Sequence, residues 1–249
     1  MISVSSLRIY PMKSAQGTAQ EEAAYNIDGF LQDRRWIVVD EERRRVSARK
    51  LPRLATISCS LSDQALTLSQ TGFRVSLPLV VQEHIEQDVE LTNGLTARAR
   101  FMGNEVATHL SGYLGRKCAL YQLCERKAAE LAYAPVHLMS ESSLKVLNDK
   151  LEQPVPMARF RPNIVVAGSK PFDEDNWSTV TINGHGFRNI ERTARCTIPN
   201  IDIESGQTAP EPMKTLSNFR RIKASVDLGI YLQPSGEGSI KLGDPVQIS

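Results

Sequence analysis

The chain has 249 residues, enough to bury a full core in one large or two small domains. Lys plus Arg number 30 against 28 Asp plus Glu, so global charge points to neither a nucleic-acid partner nor a membrane surface. Nowhere do about 18 apolar residues run together, and the first residues read as a strand rather than a charged-then-apolar leader; the expectation is a soluble, cytoplasmic protein.

In chain order, the first hundred residues read as β-rich. Strands are predicted at Ser3–Tyr10, Trp36–Asp40, Thr56–Ser60, Ala65–Ser69 and Phe73–Leu77, separated by Gly, Asp, Ser and Pro signals. Trp36-Ile37-Val38-Val39 is a continuous apolar run, the pattern of a strand buried on both faces. Close spacing of short strands favours a barrel or sandwich over a βαβ sheet. The basic residues Arg34-Arg35, Arg43-Arg44-Arg45, Arg49-Lys50 and Arg53 crowd one stretch. The Arg43–Arg45 run suits a solvated, salt-bridged sheet edge, whereas Arg34 and Arg49, beside apolar strand residues, point at something specific.

A helix is predicted over Asn104–Leu114, with Val106, Leu110 and Leu114 on one face and Gly115 ending it. A second is predicted over Glu141–Leu151, with Ser140 as N-cap and Leu144 and Leu147 as its apolar face. Strands follow at Asn163–Ala167 and Thr179–Ile182, then a closing strand pair at Gly229–Gln233 and Gly238–Ile248. The expected fold is mainly β (α+β), with a boundary near residues 110–130 after a β-rich N-terminal part.

The four cysteines, Cys59, Cys118, Cys124 and Cys196, form no CxxC pair. They suggest neither a disulfide framework nor a zinc site. The four histidines, His84, His109, His137 and His185, lack ligand spacing. Cys196 stands apart because Arg195 precedes it. A guanidinium beside a thiol favours thiolate, which attacks electrophiles or binds a soft metal. Phe160-Arg161-Pro162-Asn163 leads a loop into a β-branched run and presents a guanidinium and an amide at the strand's mouth. Lys13 and Ser14 follow Tyr10-Pro11-Met12 at a strand end, either a plain surface turn or a phosphate cradle. Asp202, six residues past Cys196, is either a proton donor or the cap of the turn Glu204-Ser205-Gly206.

Six segments occur in one order: Tyr10–Ser14, Asp33–Trp36, Ser47–Leu54, Phe160–Asn163, Arg195-Cys196 and Lys241–Val246. Together they resemble the MOSC family, in which a MOSC N-terminal β-barrel domain precedes a MOSC domain, as in the mitochondrial amidoxime-reducing component and its bacterial relatives. The likeness spans essentially the whole chain and implies an N-terminal β-barrel-like domain at residues 1–115 followed by a β-barrel MOSC domain with a few helices at 116–249. It implies a molybdenum cofactor, molybdenum on a molybdopterin, whose metal is held by Cys196. Lys13, Ser14, Arg34, Arg161, Asn163, Arg195 and Tyr231 are then the contacts to the pterin and its phosphate. Tyr133 and Ala134 occupy a further contact position with side chains unlike the Thr-Ser of eukaryotic relatives. Burying a phosphate dianion demands such cations, since an unpaired buried charge is very costly.

The resemblance further implies a reductase of N-hydroxylated compounds: amidoximes, hydroxylamines and N-hydroxylated bases. Cys196 and Asp202 are its candidate catalytic residues. The plant-type Cys-x4-Cys-x2-Cys run of some bacterial relatives is not found here. No [2Fe–2S] group and no zinc are therefore expected in this chain, and electrons would come from a separate flavin or iron–sulfur reductase. Thr193 stands where some relatives have another cysteine. Two rival readings use the same Cys196: a sulfur carrier bearing a persulfide, and a non-catalytic module that stores or delivers the molybdenum cofactor.

Overall fold

The computed structural model describes residues 1–79, 86–91, 94–125 and 135–249. Seven strands close a barrel. In spatial order they are Val136–Ser140, Ile164–Ala167, Ile2–Ile9, Pro245–Ile248, Thr179–Ile182, His185–Ala194 and Ser225–Pro234, the last pairing back onto the first. Six of these contacts are antiparallel. Val136–Ser140 and Ile164–Ala167 run parallel, which requires a crossover, and the helix Glu141–Asn148 (α2 below) supplies it.

Period-two alternation sorts the barrel residues between two cores. Val136, Leu138, Ile164, Val166, Ile230 and Leu232 join one cluster with Val4, Leu7 and Phe187. Met139 faces the other way, onto Leu144 and Leu147 of α2 and Leu216 of the helix Met213–Arg220, called α3, and Leu228 joins it because the alternation of its strand breaks at Gly229, φ 83°. The same logic governs Trp36–Val39. Trp36 and Val38 pack with Leu54, Leu68 and with Val106 and Leu110 of helix α1 (Asn104–Leu114), while Ile37 and Val39 pack with Val89 and Tyr121. The continuous apolar run is indeed buried on both faces.

The mainly β expectation holds, with three α-helices among the described residues. Strands are exchanged across the expected division at residues 115 and 116. Ile2–Ile9 lies between Ile164–Ala167 and Pro245–Ile248, inside the barrel built from the second half. In exchange, Ala119–Leu123 sits between Trp36–Val39 and Thr96–Phe101 in the four-stranded sheet of the first half. Gly238–Lys241 pairs with Glu22–Asn26. The closing strand pair is also corrected. Gly238–Ile248 is two strands in different sheets, and neither pairs with the Ser225–Pro234 strand. Gly243, at φ 84°, turns the chain between them, and the Asp244 carboxylate accepts the Lys241 N–H at 2.8 Å.

α1 matches its predicted bounds, and its Gly115 cap adopts φ 65°. α2 starts at the predicted cap, where Ser140 Oγ accepts the Ser143 N–H, but stops at Asn148. A pattern of two leucines could not place its end, and Asn148 instead makes paired hydrogen bonds with the Val155 backbone. Strands Glu86–Glu90, Thr96–Phe101, Val136–Ser140 and His185–Ala194 escaped prediction because charged or polar residues interrupt their alternation.

Candidate cofactor site

Two short segments zip together to start the site. The Arg34 N–H donates to the Tyr10 carbonyl at 2.7 Å, Trp36 N–H to Pro11 O at 3.0 Å, and Lys13 N–H to Trp36 O at 2.8 Å. The pairing places the Lys13-Ser14 turn beside Asp33-Arg34. Ser14, Arg34 and Arg161 all sit at positive φ, at 74°, 54° and 60°. Three non-glycine residues held in the left-handed region mark a place where the fold imposes a conformation that local sequence disfavours.

Arg34 is the hub. Its Nη1 ion-pairs with Asp33 and donates to Asn163 Oδ1 at 2.8 Å, while Nη2 donates to the Arg161 carbonyl at 3.2 Å. Asn163 is fully engaged as a brace. Its Nδ2 donates to Arg8 O at 3.0 Å and to Asp33 Oδ1 at 3.1 Å, and its Oδ1 also accepts the His137 N–H at 3.2 Å. The guanidinium groups of Arg34 and Arg161 flank the Tyr10 ring, 4.9 and 4.4 Å from its centroid. Arg161 also donates to the Ala15 carbonyl. Arg195 donates from Nη2 to Phe160 O at 2.7 Å and lies 3.3 Å from His137 Nε2.

Charge at the site is unbalanced. Burial works against the Arg34 cation, but the Asp33 carboxylate outweighs it and holds its pKa above the ordinary value. Arg161 forms no ion pair among the described residues, and burial followed by repulsion from Arg34 pulls it down to about 10. Burial lowers Arg195 as well. Both remain cations at neutral pH, and Asp33 is the one carboxylate with which these three guanidinium groups form an ion pair among the described residues. Arg8, Ser14, Arg159 and Arg161 line a cavity of about 150 Å³ beside them. Two polar atoms here, Tyr10 Oη and Arg195 Nε, are buried without a hydrogen-bond partner among the described residues. Such a donor set suits an anion that this chain does not itself provide.

Cys196 follows the barrel strand His185–Ala194 and is exposed. The Arg195 N–H is pinned to the Val226 carbonyl at 2.8 Å, which holds the cysteine at the barrel rim. Tyr231, on the neighbouring strand, is close enough to bias both Arg34 and Arg195 electrostatically. No cluster of three His, Cys, Asp or Glu able to hold an ion occurs among the described residues. A metal held by Cys196 would therefore take its other ligands from a bound group, as a pterin dithiolene provides. The residues fit a molybdopterin: an exposed cysteine at the rim, and buried cations with a small cavity beside them.

Of the residues named from the sequence, Lys13, Ser14, Arg34, Arg161, Asn163, Arg195 and Tyr231 gather around this centre. Tyr133 and Ala134 lie outside the described residues. Ser14 is buried, and its Oγ accepts the Ala48 N–H at 3.0 Å. Arg49 is exposed, and Arg44 pairs with Asp40 and Glu42 as a sheet edge does. Asp202 caps the following turn. Its Oδ1 accepts from Glu204 N at 3.2 Å, Ser205 N at 2.8 Å and Ser205 Oγ at 2.9 Å, and its Oδ2 meets Arg159. These bonds, led by the Ser205 N–H, hold its pKa at about 2. An ionised acceptor is poorly suited to give a proton, so the geometry favours the cap over the donor. Burial raises the thiol pKa of Cys59 to about 12 and also raises those of Cys118 and Cys124, which keeps them inert.

Sequence reading missed Asp33, Tyr10 and His137 as parts of the site. Asp33 and Tyr10 were visible inside motifs whose basic neighbours drew attention. His137, a lone histidine in Val136–Met139, gave no spacing signal.

Comparison with known proteins follows the same outline. Residues 1–117 match the MOSC N-terminal beta barrel domain and residues 114–247 the MOSC domain. The chain is 31% identical to mitochondrial amidoxime reducing component 2 of Rattus norvegicus, over 98% of this chain and 82% of that protein. It is 30% identical to human mitochondrial amidoxime-reducing component 1, with the same coverage of 98% and 82%. It is 27% identical to a molybdenum cofactor sulfurase of Oryza sativa subsp. japonica, over 93% of this chain but 32% of that protein. Among solved structures, the YUAD protein from Bacillus subtilis aligns over 100% of this chain and 96% of its own, at TM-score 0.50 and 11% identity, a likeness of fold.

Proposed function

The chain belongs to the MOSC family, with the N-terminal beta barrel domain and the MOSC domain in order, and from that premise we propose that it is a molybdenum-cofactor oxidoreductase that reduces N-hydroxylated compounds. The observation that carries the reading is the convergence of Arg34, Arg161 and Arg195, with one buried carboxylate among them, behind an exposed Cys196. The net reaction takes an N–OH group, two electrons and two protons to an N–H group and water. Bound molybdenum would supply the two-electron redox chemistry. The chain's own part is to hold and orient. Cys196 presents a thiolate to the metal, the three arginines with Lys13 and Ser14 fix the pterin and its phosphate, and Asn163 and Asp33 hold Arg34 in place. Tyr231 borders the same face. The exposure of Cys196 leaves access for a small substrate and for a separate electron-donor protein, a flavin or iron–sulfur reductase.

A second reading has a specific observation behind it: the exposed Cys196 and the partial likeness to a molybdenum cofactor sulfurase suit a persulfide carrier. Molybdenum per chain, measured on wild type and Cys196→Ala purified from a host that makes the cofactor, comes first. Near-stoichiometric metal in wild type, lost in the variant, is expected. Benzamidoxime turnover by the loaded protein with an artificial reductant then tests the reductase reading, and its absence would sink it for that substrate class. A mass increase of one sulfur on Cys196, with no metal, would favour the carrier instead.

A further inference from the structure

His137 is buried, and its ring stands between the two arginine loops of the site. Nδ1 lies 3.3 Å from the Arg161 carbonyl oxygen, and Nε2 lies 3.3 Å from Nη1 of Arg195. A carbonyl only accepts and a guanidinium only donates. One protonation state satisfies both contacts: the neutral ring with its proton on Nδ1. An imidazolium, or a proton on Nε2, would set N–H against N–H at Arg195. The Leu228 carbonyl is also beside the ring and is the competing acceptor for an Nε2 proton. Using it would turn the bare Nδ1 lone pair onto the Arg161 oxygen. Burial, reinforced by Arg195, pushes the ring's pKa well below its ordinary value, so the neutral form is the resting one.

The surroundings fix the ring's place. Its backbone N–H donates to Asn163 Oδ1 at 3.2 Å, and its carbonyl accepts the Asn163 N–H at 2.8 Å. Gly229, at φ 83°, leaves the ring its room: a Cβ there would stand 2.8 Å from Nε2 and 2.6 Å from Leu138 O. The other anchor of Arg195 is the Phe160 carbonyl, in the loop that carries Arg161.

We propose that His137 is a positioning residue: as the Nδ1–H tautomer it ties the Arg161 loop to Arg195 and so aims the guanidinium beside Cys196 at the anionic cofactor. The tautomer stands on this geometry alone, and its consequence for the cofactor rests on the proposed function.

Two measurements test it. Nitrogen-15 NMR of the His137 side chain in cofactor-free protein at pH 7, assigned by the signal missing from His137→Gln, should show the neutral ring protonated on Nδ1. A proton on Nε2, or an imidazolium, would overturn the tie. The rate of molybdenum release on dialysis is then compared for wild type, His137→Gln and His137→Leu, with melting temperatures to show that each is folded. An amide keeps one donor and one acceptor, so the Gln variant should release metal within about threefold of wild type. The Leu variant should release it at least about tenfold faster, as expected for losing a hydrogen bond to a charged group. Release from Leu at the wild-type rate would overturn the positioning role. If the Leu variant does not fold, His137→Asn, too short to reach Arg195, takes its place with the same expectation. A wild type that never takes up molybdenum would sink the functional reading while the NMR result still decides the tautomer.

Discussion

Asp33 decides whether Arg34 can be where it is. The carboxylate is buried, accepts the Tyr10 N–H at 2.8 Å and the Asn163 amide at 3.1 Å, and ion-pairs with Arg34. Asp33→Asn would leave a partly buried guanidinium uncompensated beside Arg161. Breaking one half of a buried pair is strongly destabilising, and we expect a loss of about 3 kcal/mol in urea unfolding together with reduced molybdenum content. Wild-type stability and metal content in the variant would show that Arg34 has another partner. Asp202 supplies a pH-dependent counterpart. Its folded pKa of about 2 lies below the ordinary 3.8, so its contribution is full above pH 4 or so and is lost as pH falls through about 2. The side chain is 37% exposed, so solvent screening reduces that contribution to about 1 kcal/mol. The stability gap between wild type and Asp202→Asn should therefore be flat from pH 7 to about pH 4 and close below it. A gap that widens in acid would refute this assignment.

At the scale of elements, the site depends on strands that approach closely. Ser225–Pro234 pairs with both Val136–Ser140 and His185–Ala194, and Gly229 lies where it crosses the former. Gly229→Ala combines an unfavourable φ of 83° with a Cβ that would lie 2.6 Å from the Leu138 carbonyl. The expected cost is about 3 kcal/mol, read as a fall in the urea midpoint at unchanged slope. A neutral outcome would mean that the two strands can part without loss. The same crossing explains how much of the site was legible. Arg34, Arg161 and Arg195 announced themselves through short motifs, since each lies in a loop next to a strand, the first two just before one and Arg195 just after. His137 and Asp33 did not, because their roles come from what another strand brings opposite them. Asp202 sat between two roles in the sequence, and the hydrogens pointing at its carboxylate separated them.

For the whole molecule, the interleaving of the halves sets the unit of folding. Residues 116–249 alone lack Ile2–Ile9, which fills the gap between Ile164–Ala167 and Pro245–Ile248. The barrel would open and expose two unpaired edges. We expect that fragment to aggregate on size-exclusion chromatography, and co-expression of residues 1–115 to restore soluble complex. A monomeric, folded 116–249 fragment would show that the barrel closes without its first strand. No helix of the described residues is long and apolar enough to cross a membrane.

The sequence by itself determined what depends on neighbours along the chain. The apolar run Trp36–Val39, the α1 stripe with its Gly115 stop, the Ser140 cap and the order of the basic motifs all follow from local periodicity and turn chemistry. Only the tertiary structure decided what depends on residues far apart. It put Gly238–Lys241 and Pro245–Ile248 in different sheets and threaded Ile2–Ile9 into the second half. It also left Arg161 and Arg195 without a carboxylate partner among the described residues and turned His137 toward Arg195. Strand pairing, burial and charge balance are properties of a surface assembled from distant segments, and no local pattern encodes which segment arrives.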